Sequence, residues 1–497
     1  MRRPILSLSA KDFRSGIAPS MHAERGGLFA TANAITADYD LGGAASAENG
    51  LLQPGPAPTN IGGATVVDTI FAAESGVLVS TMQAFFWSDE GRLYRLLSNG
   101  TLTDLMDGTP AAVSNSRAGL KLWNSTSSSD RGLLYWQSTQ IGLWDGATDS
   151  TTFTNNKYAS IGTMNWPCPH IFLGNVYFAI SQTGKIGALL DNGAGTVTLN
   201  QAVLDHDLKY SCFSMTDDGT YLVMALSQNQ EGTDQFANCK IIYWDTTSPS
   251  WNREYEIKDP FIWKVRGIGG VVYAWGQRGV YEIVFGRGVR KLPPRFTAFG
   301  TPADVAIGYG IQRATNYNHD MLMWATDSYI ELYGSPEDGV PPAYSKPFKI
   351  PSGVGTPSLV FANFAVGSVY VATDGDKLYR YDFNGATRET SVSAQTVYFP
   401  LPTKMEIDRI DVIFGEPLAS GDAMSIQFKT DEDTAATPTT ALVASYANDG
   451  AIRRKTIRKL PLFTEGPLSL VINFTTGTVK IKKIEVYGKP VVTQEGV

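Results

Sequence analysis

A chain of 497 residues with a formal net charge of −7 offers no general attraction for nucleic acid or for an anionic membrane surface. Hydrophobic residues at 43% and charged residues at 18% exclude a disordered chain, and the length exceeds what one compact core usually holds. Helical patterns of useful length are scarce, whereas 49 Gly, 26 Pro and many aromatic residues suit an all-β protein of strands joined by tight turns.

Residues 1–62 read as an extended N-terminal arm. The segment opens on Arg2, Arg3 and Pro4, and its later part, Gly26 to Phe29 and Gly50 to Pro58, is rich in Gly, Ala and Pro, so few positions suit a central sheet. Such backbone is either disordered or finds hydrogen-bond partners on another surface. Phe13, Ile17, Leu28, Phe29, Ile35, Tyr39 and Leu41 supply more apolar anchors than a free tail carries, which favours a docked arm. Of the arm positions, Phe13, Leu28, Phe29, Leu51 and Leu52 are expected to contact a neighbouring subunit.

Residues 63–400 carry a repeat. Val369 to Phe383 reads as an apolar strand, a turn at Asp374 and Gly375, and a second strand in which Leu378, Tyr379 and Tyr381 alternate with charged residues. Blurred copies lie at Phe85 to Leu97, Gly132 to Gly146, Val176 to Asp191, Tyr221 to Trp244, Val271 to Phe285 and Met321 to Tyr333. A spacing of roughly 40–55 residues is that of propeller blades. One hairpin buries one face only, so each unit needs neighbours, and radial stacking of about seven degenerate blades closes the core. The first strand of each copy is nearly all apolar and the second alternates, which fits inner and outer strands of a blade. A long β-sandwich or a string of small β domains is the alternative. Gly286 to Phe296 reads as an exposed loop whose Arg287, Arg290, Lys291 and Arg295 suit an anion, a subunit contact or simply solvent.

Residues 401–497 change character. Met405 to Phe414, Met424 to Lys429, Leu468 to Phe474 and Val479 to Tyr487 alternate cleanly and predict a C-terminal β-sandwich of jelly-roll type. Arg453, Arg454, Lys455, Arg458 and Lys459, interleaved with Ile452 and Ile457, read as an edge strand whose charges discourage stray pairing. Arg453 and Arg454 join the candidate subunit contacts.

Chemistry-bearing patterns are few. Cys168, Cys212 and Cys239 are scattered and odd in number, so no disulfide framework is implied, and buried, reduced thiols are expected. His22, His170, His206 and His319 lack metal-ligand spacing; Cys168-Pro169-His170 is the one place where a thiol and an imidazole meet in sequence. No phosphate loop or nucleophile elbow is present. Asp217 to Tyr221 approaches the turn repeated in sialidase propellers but lacks its serine, and Asp374 and Asp376, or Asp431 to Asp433, could hold calcium but suit solvated turns equally. No catalytic residue, metal or cofactor is expected. No run of about 18 apolar residues suggests a membrane anchor, and Met1 to Ser20 lacks the apolar stretch of a secretory signal, so synthesis in a cytoplasm is expected.

The order of a Gly/Pro-rich arm containing Gly26-Gly27-Leu28 and Gly50 to Gly55, a degenerate propeller and a terminal jelly-roll-like sandwich resembles virion tail proteins of tailed bacteriophages. The nearest types are the nozzle or DNA-stabilisation proteins of short-tailed phages and propeller-bearing proteins of longer tails. The resemblance implies a homo-oligomeric ring or axial cluster in the virion, built by arm exchange and sheet-edge contacts. Other tail proteins would be partners, phage DNA a passing contact, and the host cytoplasm the place of synthesis. The alternative is a carbohydrate-binding or glycan-degrading propeller using Trp244, Trp251 and Trp263 as sugar platforms.

Overall fold

The computed structural model describes residues 4–9, 12–13, 28–32, 35–37, 51–78, 81–97, 100–105, 119–146, 153–164, 166–180, 184–228, 238–293, 314–316, 321–335, 342–363, 367–382, 387–401, 403–430, 439–464 and 467–491. Among them the chain forms seven four-stranded antiparallel sheets and two larger ones. The innermost strands of the seven are, in order, Ile70–Leu78, Leu120–Trp123, His170–Phe172, Tyr210–Asp217, Ile262–Ile268, Ala314–Asn316 and Pro357–Asn363. Each lies beside the next, and the seventh returns to the first, so the ring closes. This is a seven-bladed β-propeller.

All seven hairpins read from the sequence are present, as the two middle strands of each blade. Strands such as Gly132–Trp136, Met321–Ala325 and Ser368–Thr373 are buried along their whole length, which explains their near-continuous apolar text. Their assignment as inner and outer strands is corrected. A further strand precedes each hairpin on the axial side, and another pairs with its outer flank. Gly288–Lys291 is the outer strand of the fifth blade rather than a loop, with Arg290 paired to Glu282 at 2.9 Å.

Large rings fill the seams between blades. Trp87 stacks on Tyr135 at 4.8 Å between blades one and two, Tyr177 meets Trp244 at 5.9 Å between three and four, and Phe213 meets Phe261 at 4.6 Å between four and five. Each such pair adds roughly 0.5–1.5 kcal/mol to the area it buries. The seventh blade takes its outer strand from the start of the propeller: Pro58–Asn60 flanks Lys377–Asp382, and the Ile61 N–H donates to the Leu378 carbonyl at 2.9 Å.

The two larger sheets face each other across one core. Ignoring added edge strands, eight strands pair first with last: Leu52–Pro54 with Ile481–Pro490, Val392–Thr396 with Leu468–Thr476, Met405–Phe414 with Arg454–Thr464, and Ala423–Thr430 with Thr439–Ser445. Successive pairs alternate between the sheets, which is jelly-roll topology. The propeller is an insertion between the first and second of these strands.

That arrangement corrects the reading of the arm. Leu6–Leu8 pairs with Ile484 to Val486, Phe29–Ala32 with Ala394 to Thr396, and Ile35–Ala37 with Leu52–Pro54. Phe13, Leu28, Phe29 and Leu52 lie in the sandwich core, with Leu52 at 0% exposure, and Leu51 is buried close to Gly415. These five side chains are therefore occupied within their own chain instead of facing a neighbour, because the open flanks of the sandwich satisfy the arm's extended backbone. The boundaries move accordingly: the described part of 1–57 and Val392–Thr396 belong to the sandwich, and Pro58–Asn60 to the propeller.

The chain divides into two compact units, Thr59–Asp327 with Ser352–Arg380, and Met1–Pro58 with Ser328–Pro351 and Tyr381–Val497. The first contains all seven innermost strands, and the second contains the sandwich.

Candidate functional site

An innermost blade strand leaves one flank of backbone without a ladder partner, and here short hydroxyl side chains of adjacent blades meet it. The Val265 and Gly267 N–H groups donate to Ser214 Oγ at 3.1 Å and Thr216 Oγ1 at 2.9 Å, and the Ile262 N–H donates to Ser227 Oγ at 3.0 Å. Gly267 permits this approach, since a Cβ there would stand 1.8 Å from the Asp217 carbonyl oxygen.

The same strands carry charge on five consecutive blades. Glu74 of blade one accepts from Lys121 Nζ of blade two at 2.8 Å, and Asp217 Oδ2 of blade four meets His170 Nε2 of blade three at 2.8 Å. Blade five adds buried Lys264 and half-buried Arg266. Burial lowers the His170 pKa against the raising effect of the Asp217 hydrogen bond, with Lys121 and Arg266 adding repulsion. The hydrogen bond from His170 in turn holds Asp217 below the usual carboxylate range. A neutral imidazole donating to a carboxylate is the state these shifts favour. Burial, then Arg266, pushes Lys264 well below the ordinary lysine range, and burial lowers Arg266 to about 10. The result is a mixed polar girdle in which Glu74 is held by the Lys121 ammonium and Asp217 by the His170 imidazole. A depressed carboxyl such as Asp217 does not suit the proton-donor role in glycoside hydrolysis, which calls for a raised pKa.

A second titratable group lies at blade one. Arg92 binds Asp68 at 2.7 Å and Asp104 at 3.0 Å, while burial, Glu90 and Asp68 together raise Asp89 to about 6. The unfolded carboxyl ionises near 3.8, so the native state holds the extra proton between roughly pH 4 and 6 and its stability falls as pH rises through that window. Asp89→Asn is expected to stabilise the protein at pH 7 by about 1–2 kcal/mol, with the gain vanishing by about pH 4. Urea midpoints at the two pH values check this.

No family model and no curated protein matches the sequence. Among solved structures, the chain is similar to the Neurospora crassa Pan2 WD40 domain at 7% identity and a TM-score of 0.45, covering 68% of this chain and 97% of that one. It is also similar to the Dos1 propeller at 12% identity and a TM-score of 0.42, covering 68% and 96% of the two chains. The computationally designed Ika8 protein is a further neighbour at 9% identity and a TM-score of 0.36, covering 63% and 96%.

The residues singled out from the sequence fall in separate places. Arg287 lies in the exposed turn before Gly288–Lys291, and Arg295 lies outside the described residues. Arg454 begins the edge strand of one sandwich sheet and turns to buried Asp411, and Arg453 immediately precedes that strand. Trp244 and Trp263 are buried, at 2% and 1% exposure, so these two sugar-platform candidates are core residues, while Trp251 is half-buried against the cluster around Trp244. Asp374 Oδ1 accepts the Thr356 N–H at 2.7 Å as a turn residue, while 431–433 lie outside the described residues. No metal-binding group of three or more ligands is found among the described residues. Cys168 and His170 diverge: the imidazole faces Asp217, and the thiol faces Cys212. Sequence reading missed Glu74, Lys121, Lys264 and Arg266, which become a group only when the ring closes.

Proposed function

We propose that this chain is a non-enzymatic structural and interaction protein of a bacteriophage tail, assembling with further copies of itself through an open sheet edge of its sandwich. The propeller supplies a scaffold for other tail proteins, and its resemblance in organisation to virion tail proteins supports that setting. Arm exchange forms no part of this reading, because the described arm residues complete their own sandwich.

The observation that carries it is the 11-residue strand Arg454–Thr464, which pairs with Met405–Phe414 on one side only among the described residues. Such an edge is a template for another strand. Arg453 and Arg458 are exposed beside it and, among the described residues, have no ion-pair partner. The open ladder of backbone N–H and C=O groups selects another strand, which DNA does not offer, and this favours a second copy as the occupant.

The double variant Arg453→Glu, Arg458→Glu is expected to shift purified protein from rings or clusters to monomers while its urea midpoint stays within about 0.5 kcal/mol of the parent. Sedimentation velocity with negative-stain microscopy reads this, and a parent protein that remains monomeric at micromolar concentration would sink the assembly reading. Peptide mass spectrometry of purified virions tests the tail setting separately.

A further inference from the structure

We propose that Cys168 and Cys212 form a redox modification site, two thiols on neighbouring blades that a hydroperoxide joins into a disulfide. The residues stand 44 positions apart, Cys168 just before the innermost strand of blade three and Cys212 within that of blade four, yet their sulfurs lie 3.9 Å from each other. A disulfide bond is roughly 2.05 Å long, so the two sulfurs approach by a little under 2 Å when it forms. Cys168 is partly exposed, so a small oxidant reaches it, and Cys212 is buried behind it.

Three further features bear on the pair. Cys168 sits between Pro167 and Pro169 with φ at 32°, a conformation unfavourable for a residue bearing a Cβ, so the fold holds this thiol in place against local strain. On the opposite strand the pairing register shifts between Cys212 and Ser214, a bulge beside the second thiol. Lys264 lies within electrostatic reach of the Cys168 sulfur, with Arg266 and Lys121 close to Lys264 in turn, so the pair adjoins the polar girdle of the innermost strands. Burial holds the Cys212 thiol well above its usual range, so it waits as the protonated partner.

In the reaction the Cys168 sulfur attacks one peroxide oxygen and the O–O bond breaks. Sulfenic acid forms on Cys168, and the departing oxygen takes the thiol proton and leaves as water. The Cys212 sulfur then attacks Cys168, the S–S bond forms as the S–O bond breaks, and the Cys212 proton leaves with the hydroxyl as a second water. Two thiols lose two electrons, and one peroxide becomes two waters. Cys239 stands apart: it is buried, and its sulfur lies 3.1 Å from the Asp259 carbonyl oxygen and 3.4 Å from Ser227 Oγ.

The test treats the intact chain with a small excess of hydrogen peroxide, blocks remaining thiols with N-ethylmaleimide under denaturing conditions, and maps the digest by mass spectrometry. The expected product is one cross-linked peptide pair joining Cys168 to Cys212, about 2 Da lighter than its reduced parts, reversed by dithiothreitol, with Cys239 recovered alkylated. Cys212→Ser is expected to divert Cys168 to sulfenic and sulfinic forms, and Cys168→Ser to leave Cys212 alkylated. Recovery of both parent thiols unoxidised, pairing of Cys168 between chains, or the same Cys168 products in the parent and in Cys212→Ser would overturn the proposal. The mapping of the parent chain decides the matter even if a variant fails to fold.

Discussion

Removing residues 1–57 is expected to leave the sandwich unable to fold. Leu8, Phe13, Leu28, Phe29 and Leu52 all sit in its core, and Leu52–Pro54 is the first strand of its jelly roll. Losing even one such side chain costs about 2–5 kcal/mol, and five together, at about 10–25 kcal/mol, match or exceed the roughly 5–15 kcal/mol by which a domain is normally stable. The truncated chain should aggregate or lose one cooperative unfolding transition in calorimetry, and Leu52→Ala alone should lower the sandwich transition by about 2–5 kcal/mol. An arm that served only to grip a neighbour would behave differently. Its removal would yield a folded monomer, and recovery of a soluble truncated chain with both transitions intact would contradict the structure.

Asp259→Ala is expected to be the most damaging single change in the propeller. Its carboxylate, 0% exposed, accepts from the Phe261 and Gln277 N–H groups through Oδ1 and from the Arg278 N–H and Tyr281 hydroxyl through Oδ2. A Cβ at Gly276 would stand 2.4 Å from Oδ2, so the cradle admits no substitute group. Removing the acceptor strands several buried donors and should destabilise the propeller by about 3–5 kcal/mol, whereas Tyr281→Phe, which removes one bond, should cost about 1 kcal/mol. Urea titration followed by tryptophan fluorescence reads both, with Trp263 and Trp275 reporting from the same blade. A loss below that of Tyr281→Phe would show that the four contacts do not act as drawn.

What could be read from the sequence follows from where each residue finds its partners. The middle hairpins were legible because both faces are buried and the turn is local, so a strand such as Val271–Gly276 announces itself by apolar text alone. The innermost strands were not, because Ser214, Thr216, Glu74 and Asp217 answer to the neighbouring blade rather than to their own hairpin. The charge girdle did leave one trace: Glu74 and Lys121, and likewise His170 and Asp217, are 47 positions apart, one blade period. A basic and an acidic residue one period apart, each just upstream of a repeat hairpin, would have marked the pairs once the ring was assumed. The arm was legible as extended and anchored, but its partner was not, since Leu6–Leu8 pairs with residues near the other end of the chain. Asp259 resembled any acid at a turn.

Placing the propeller inside the jelly roll imposes a timetable on biosynthesis. Leu52–Pro54 leaves the ribosome first, yet the strands it needs, from Val392–Thr396 to Ile481–Pro490, are made only after every blade has been translated, a delay on the order of tens of seconds. During that interval Leu8, Phe29 and Leu52 have no native cover, and the nascent chain is exposed to chaperones and to stray pairing. When the late strands arrive, the bridge between Pro56 and Arg388, with Glu389 N–H donating to the Gly55 carbonyl at 2.9 Å, ties together the two chain crossings that bracket the insert. The later strands thus seal the earlier one, so a ribosome that stalls between Val392–Thr396 and Ile481–Pro490 releases a finished wheel with an unfinished sandwich.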